Sequence, residues 1–239
     1  MIRSNIRRSS MKVAVVAAAS LCVGIGMAAP KQPQIQTGPN AEVSYDGLVR
    51  VKKSVVDAAW VKPDFDLTPY TKIMIASAGL SFKKVKPVSS FEARQGASEF
   101  PISPEGQEMF KEIMKEEFTA ELSKLKRYQI VDKPGPDVLL LVGAVINIVS
   151  SVPNDVDSAQ FGGGRGAGVY LTSVGQATLV IELRDSLSNE ILGRAIDGRA
   201  AESPFAFEAN KVTVWTEVHR LAQAWASLLR KRLEEIEKV

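Results

Sequence analysis

The chain has 239 residues, of which 45% are hydrophobic and 24% charged, the ordinary make-up of a globular protein with room for one good core. Its formal charge of +3 misleads, because Arg3, Arg7, Arg8 and Lys12 all fall in the first 28 residues, which carry no acid. Beyond them 26 basic residues face 27 acidic ones, and a near-neutral body lacks the electrostatic footprint of a nucleic-acid binder.

Residues 1–28 read as a signal peptide. The four basic residues precede an apolar run at 13–25, and Gly26-Met27-Ala28 offers small residues for cleavage after Ala28. The run is short and Ala-rich for a membrane span. Arg7-Arg8 suggests a twin-arginine signal, but Ser9 and Ser10 stand where that motif wants apolar residues. Cys22 is the only cysteine. Ala19-Ser20-Leu21-Cys22 matches a lipoprotein cleavage site at its first two positions and departs at Leu21, where Gly or Ala is expected. Cys22 is therefore a candidate lipidation site, and a lipid anchor would give peripheral membrane association. With no other cysteine, the body has no internal disulfide and must rely on its core.

Residues 29–42 are Pro- and Gln-rich and read as a flexible tether; 43–239 read as one α/β domain. Pro63 and Pro69 break any helix after Trp60. The run 71–78, with Ile73, Met74 and Ile75, suits a buried strand. A long connection at 82–101 follows. Ser103-Pro104-Glu105 then opens a helix: a capping hydroxyl, a proline with no N–H to lose, and an acid for the dipole. Its apolar stripe is Phe110, Ile113, Phe118, Leu122 and Leu125, and the Glu and Lys residues between read as a solvated face.

Residues 128–132 read as a short strand, and Pro134-Gly135-Pro136 as a turn. The run 137–151 is apolar on both faces and so central in its sheet. Ala177, Leu179, Ile181 and Leu183 alternate with polar residues, the mark of a half-buried strand. A turn at 186–189 returns the chain as a strand at 191–200. The last helix spans about 212–236, with Val218, Leu221, Ala222, Trp225, Leu228 and Leu229 on its inner stripe. The expected fold is α/β (α+β): a mixed sheet packed by two main helices on one face, in the order β-α-β-β-β-β-α.

Five of the seven residues at 162–168 are glycine. A phosphate loop would pass directly into a helix N-terminus. Here strand-like Val169-Tyr170-Leu171-Thr172 follows, and no Gly-Lys-Ser or Gly-Lys-Thr occurs. The stretch reads as a hairpin connection, and as a candidate partner-contact loop formed by Phe161, Gly162, Gly163, Gly164, Arg165, Gly166 and Tyr170. His219 is the only histidine, so neither a triad nor a multi-histidine zinc site can be assembled around it, and it reads as a helix-surface or packing residue. Asp155 and Asp157 lack the remaining ligands of a calcium loop. Asp66 reads as a turn organiser rather than half of a carboxylate pair with Asp64. Trp60, Trp215 and Trp225 read as packing residues. No catalytic residue, metal or cofactor is expected.

"YDGLVRV", "PDFDLTPYTKIMI", "ISPEG", "YQIVDKPGPDVLLLVGAV" and "ATLVIELRDSLSNEILGRA", an ordered set of blocks over 43–237, resemble a bacterial family known as domain of unknown function 3313. The resemblance implies an envelope lipoprotein and brings no activity or site residues with it; Leu21 is the departure. In architecture the chain also looks like the periplasmic domain of the curli secretion lipoprotein and like small outer-membrane activators of cell-wall synthases. The expectation is a non-enzymatic exported protein, periplasmic or anchored to the outer membrane, that binds an envelope protein partner through loops and a sheet edge. The alternative is a secretion or pore-type subunit whose 150–175 segment inserts as a membrane hairpin. A hydrolase working with carboxylates alone would need two acids within ~10 Å across a cleft.

Overall fold

Apolar residues on both faces of 138–149 and on alternate positions of 177–183 specify a sheet with one well-covered side, and that sheet forms. The computed structural model describes residues 33–86, 98–153 and 170–236. In chain order the elements are β1 (Val49–Arg50), β2 (Ala58–Val61), β3 (Lys72–Phe82), α1 (Pro104–Leu122), β4 (Gln129–Ile130), β5 (Val138–Ser150), β6 (Tyr170–Asp185), β7 (Ile191–Glu208) and α2 (Lys211–Glu235). The strands make one seven-stranded sheet in the order β1-β2-β7-β6-β5-β3-β4. β3 runs parallel to β5 and β4, and the other neighbours are antiparallel. Parallel neighbours cannot share a tight turn, so α1 and β4 form the crossover from β3 to β5.

The expected α+β class, mixed sheet and two helices are what the chain adopts. β5 lies between β6 and β3, as its apolar faces predict. The differences are at the margins. β1 and β2 precede the predicted first strand, and each is too short to show a period. β6 and β7 run well past the alternating stretch that announces them, because a long hairpin supplies each strand with its partner. β3 is buried only at its start: Ile73 is covered, but beyond the two-residue β4 it is an edge strand and Ile75 is exposed. Part of the stretch read as a tether is held to the domain. Gln36 N donates to Arg50 O at 2.8 Å, Lys52 N donates to Gln34 O at 2.6 Å, and Ile35 bridges Val51.

Both helix starts are built from side chains. Ser103 Oγ accepts from Gly106 N at 3.1 Å with Pro104 in the first turn, as the sequence predicts. Asn210 Oδ1 accepts from Thr213 N at 3.0 Å, and Thr213 Oγ1 accepts from Asn210 N at 3.0 Å, a reciprocal box. Phe110, Ile113, Leu122 and Leu125 are buried with Met114 beside them, and from α2 Val218, Leu221, Ala222, Trp225 and Leu233 close the core over Leu141, Val145, Leu179 and Ile181. One acid of the α1 face read as solvated is an exception. Glu121 is buried between the helices, where Lys124 Nζ donates to it at 2.5 Å and Arg230 Nε at 3.0 Å. Those two bonds hold its carboxyl below the usual range.

The opposite sheet face carries a half-buried row, Ala58–Ile196–Val180–Ala144, in register across β2, β7, β6 and β5. Beside it Arg194 donates to Glu182 Oε1 at 2.7 Å and to Asp46 Oδ2 at 2.7 Å. Arg50 lies 4.5 Å from the Trp60 ring centroid. Burial works to raise the Glu182 carboxyl, but hydrogen bonds from Arg184 and Arg194 together outweigh it and hold it below its ordinary value.

Candidate functional site

Of the residues singled out for partner contact, Phe161, Gly162, Gly163, Gly164, Arg165 and Gly166 lie outside the described residues, as do Cys22, the signal segment, Asp155 and Asp157. Tyr170 is described: it is the first residue of β6, pairs with Glu208, and is 67% exposed. β6 thus begins directly after the glycine run, as the pattern at 169–172 predicts. Residues 154–169 join Pro153 to Tyr170, so the chain leaves and re-enters the sheet at one end of the molecule, the distal end.

The distal end is shaped by an irregular β5. Between Ile146 and Val149 its register with β6 shifts, and Asn147 takes a left-handed φ of 55°. Asn tolerates that conformation, and the bulge lets consecutive Ile148 and Val149 both be buried. β6 presses close at this point: a Cβ on Gly175 would lie 2.3 Å from Val149 O. The ends of the 150–175 segment are held in the sheet. Ser150 pairs with Gly175, and Ser151 N donates to Val174 O at 2.9 Å. The 82–101 connection is described up to Lys86 and again from Ser98. Its two ends are stitched together, with Lys83 Nζ 2.6 Å from Glu99 Oε1 and Phe100 bridged to Ser150.

Around this end the first turns of α1 and α2 stand over the distal strands and enclose a cleft of about 520 Å³. Ile102, Met109, Phe110, Val149, Val174 and Trp215 are among its walls. Apolar side chains stay uncovered on the elements at this end: Met109, a wall residue of the cleft, is 44% exposed, Val212 in the first turn of α2 76%, and Phe205 near the end of β7 79%. With Tyr170 they collect four large apolar side chains at one end of the fold. The sequence points to Tyr170 alone. Met109 and Val212 sit in the opening turns of helices, where exposure is not visible in the period, and Phe205 lies past the predicted end of β7.

Other predicted roles can be placed. His219 sits on α2 with Nδ1 2.9 Å from Glu117 Oε1 of α1, a surface link between the helices. Asp66 Oδ1 accepts from Thr68 N at 2.9 Å, and its Oδ2 accepts from Thr68 Oγ1 at 2.8 Å, making the turn ascribed to it. Trp225 is core, Trp60 lies against Arg50, and Trp215 walls the distal cleft. At the opposite end Tyr70 donates to Asp185 Oδ2 at 3.1 Å; burial first, then that carboxylate, pushes its phenol up to about 12. Among the described residues no group of three or more His, Cys, Asp or Glu is placed to hold a metal ion, and no helix is long and apolar enough to cross a membrane.

No curated protein sequence matches the chain. Solved structures overlap it loosely. The PelC dodecamer from Paraburkholderia phytofirmans is 12% identical, with 66% of this chain and 88% of that one covered and a TM-score of 0.30. Protein XCC0632 from Xanthomonas campestris, of the DUF330 family model, is 9% identical over 71% and 86% with a TM-score of 0.38. A homolog of the neuraminyllactose-binding hemagglutinin from Helicobacter pylori is 13% identical over 70% and 88% with a TM-score of 0.34. A family model matches residues 40–229, nearly the whole of the sheet and both helices, and the chain therefore belongs to the family described as protein of unknown function DUF3313.

Proposed function

We propose that the protein is a non-enzymatic cell-envelope component that binds a protein partner through its distal end. The carrying observation is that the end of the fold with an apolar-lined cleft also carries four exposed apolar side chains, Met109, Tyr170, Phe205 and Val212. Isolated exposed apolar residues are commonplace, but several carried by the end of the fold that also holds an apolar cleft mark a candidate interface. Pro153 and Tyr170, the described flanks of residues 154–169, lie at the same end, and the glycine-rich 162–168 is included in the proposed contact surface. The leader at 1–28 supports an exported location. Cleavage after Ala28 releases a periplasmic domain, and cleavage before Cys22 leaves a lipid-anchored one; the mass of the mature N-terminus distinguishes the two.

The test uses Phe205→Asp and Val212→Asp in the full-length protein, with partner capture measured by crosslinking in intact cells. Both side chains are largely exposed, so the fold should survive. Capture should weaken by roughly 30-fold or more if these are interface anchors. Unchanged capture by the folded double variant would remove the distal end from the interface.

A further inference from the structure

Away from the distal end, a second cavity of about 470 Å³ lies between the C-terminal half of α2 and the β2–β7–β6 surface, and it is independent of the partner-binding reading above. Val61, Phe65, Leu179, Ile181, Trp225 and Leu229 form much of its wall. The buried acid there is matched within the protein. Asp197 accepts from Trp225 Nε1 at 2.9 Å and from Arg199 Nε at 2.5 Å. Polar groups of a ligand would gain little inside such a space, whereas an apolar chain would be desolvated along its length. The turn between β1 and β2 forms the outer wall and places Lys52 and Lys53 at the cavity. Both are exposed, and neither has an ion-pair partner among the described residues. Arg232 reaches the same space from α2; its Nη1 is paired with Glu235, and its Nε is buried with no acceptor among the described residues. The charges at the cavity are therefore in positive excess, beside an apolar interior of a size that suits one small ligand.

We infer that this cavity binds a single-chain anionic amphiphile, its apolar chain against Trp225 and its acidic head at Lys52 and Lys53. Charge complementarity selects the head and the apolar wall selects the chain. Pro33 and Gln34 also line the space, so the residues before them are the competing occupant.

The experiment titrates the mature, exported protein with unbranched fatty acids of graded length below their micellar concentration. A brominated member of the series reports contact with tryptophan by quenching. Saturable one-to-one quenching is expected, with affinity rising about fourfold per added methylene until the cavity is filled. Lys52→Glu combined with Lys53→Glu, on an exposed turn, should weaken binding at least tenfold. Leu229→Trp, which fills the cavity, should abolish quenching; if that variant fails to fold, Leu228→Trp on the same wall takes its place. Equal affinity for the uncharged alcohol of the same length, unchanged affinity in the charge-reversed protein, or quenching without saturation would overturn the proposal. So would binding that appears only after proteolytic removal of the residues before Pro33, which would give the cavity to the chain's own N-terminal segment. Partner capture through Phe205 is unaffected by any of these results.

Discussion

The indole Nε1 of Trp225 donates to Oδ2 of Asp197 at 2.9 Å, tying the middle of α2 to β7 from inside the core. Trp225 is 1% exposed and Asp197 5%, so water has almost no access to either partner. A buried carboxylate is costly unless it is hydrogen-bonded, and here Arg199 supplies the charge while Trp225 supplies the second donor. Trp225→Phe leaves Asp197 with one donor and a void above it, and should cost about 2–4 kcal/mol in chemical denaturation. Asp197→Asn keeps an acceptor for the indole and loses only the charge pairing, so it should cost less. A Trp225→Phe protein as stable as the parent would show that the bond is not a net contributor.

The bulge in β5 makes a sharper prediction. A Cβ on Gly175 would stand 2.3 Å from the Val149 carbonyl oxygen and 3.2 Å from Ser150 Cα, both backbone atoms that cannot swing aside. Gly175→Ala should cost about 2 kcal/mol or more. Gly143, also in the β5–β6 ladder, would meet only Ile181 Cδ1 at 3.4 Å, the far end of a flexible side chain. Gly143→Ala should stay within about 1 kcal/mol of the parent. Thermal melts of the two variants check the contrast.

Capping predicts a matched pair. Ser103→Ala and Asn210→Ala each leave a first-turn N–H without its side-chain acceptor, and each should lower stability by about 1 kcal/mol. Asn210→Ala should be the costlier of the two, since it also removes the Nδ2 bond to Glu208 O.

These devices are unequally legible in the sequence. Ser103-Pro104-Glu105 announces its helix because cap, proline and acid fall on adjacent positions. Asn210 is harder to read because its partner Thr213 is not the Glu or Gln that usually marks a box. The alternation at 177–183 shows the β6–β7 hairpin, yet its reach to Tyr170 and Glu208 is set by cross-strand pairing, which no local pattern carries. β2 is held by β7, far away in the chain, and β1 in turn by β2. The same holds for Glu121: a carboxylate on a charged helix looks solvated until the tertiary fold brings Arg230 against it. At the distal end Tyr170 is marked by the pattern that follows the glycines, whereas Met109, Phe205 and Val212 become candidates only through their exposure in the folded chain.

The cluster of Glu182, Asp46 and Arg194 fixes a dependence on pH. For each carboxyl, burial acts to raise it, but hydrogen bonds outweigh that: Arg184 and Arg194 at Glu182, Ser44 and Arg194 at Asp46. Both end below their ordinary values of 4.5 and 3.8. Folding therefore gains stability from the ionised forms above those ordinary values, and loses it as pH falls through the lowered folded values, where the unfolded chain already binds the protons. Denaturation midpoints should drop as pH falls below about 4.5. Arg194→Met should lower stability at neutral pH by about 2 kcal/mol and flatten the acid-side decline, because the two carboxyls move back toward their ordinary values. A parallel pH profile in the variant would contradict this reading.

The proposed interface is most directly tested by photo-crosslinking from single positions in living cells. A photoreactive residue at Phe205, on the distal end, is compared with one at Leu187, also an exposed apolar residue but set in the β6–β7 turn at the opposite end. The account predicts a discrete adduct with an envelope protein from position 205 and none from 187. The same adduct from 187, or none from 205 while the protein sits correctly exported and folded, would contradict it.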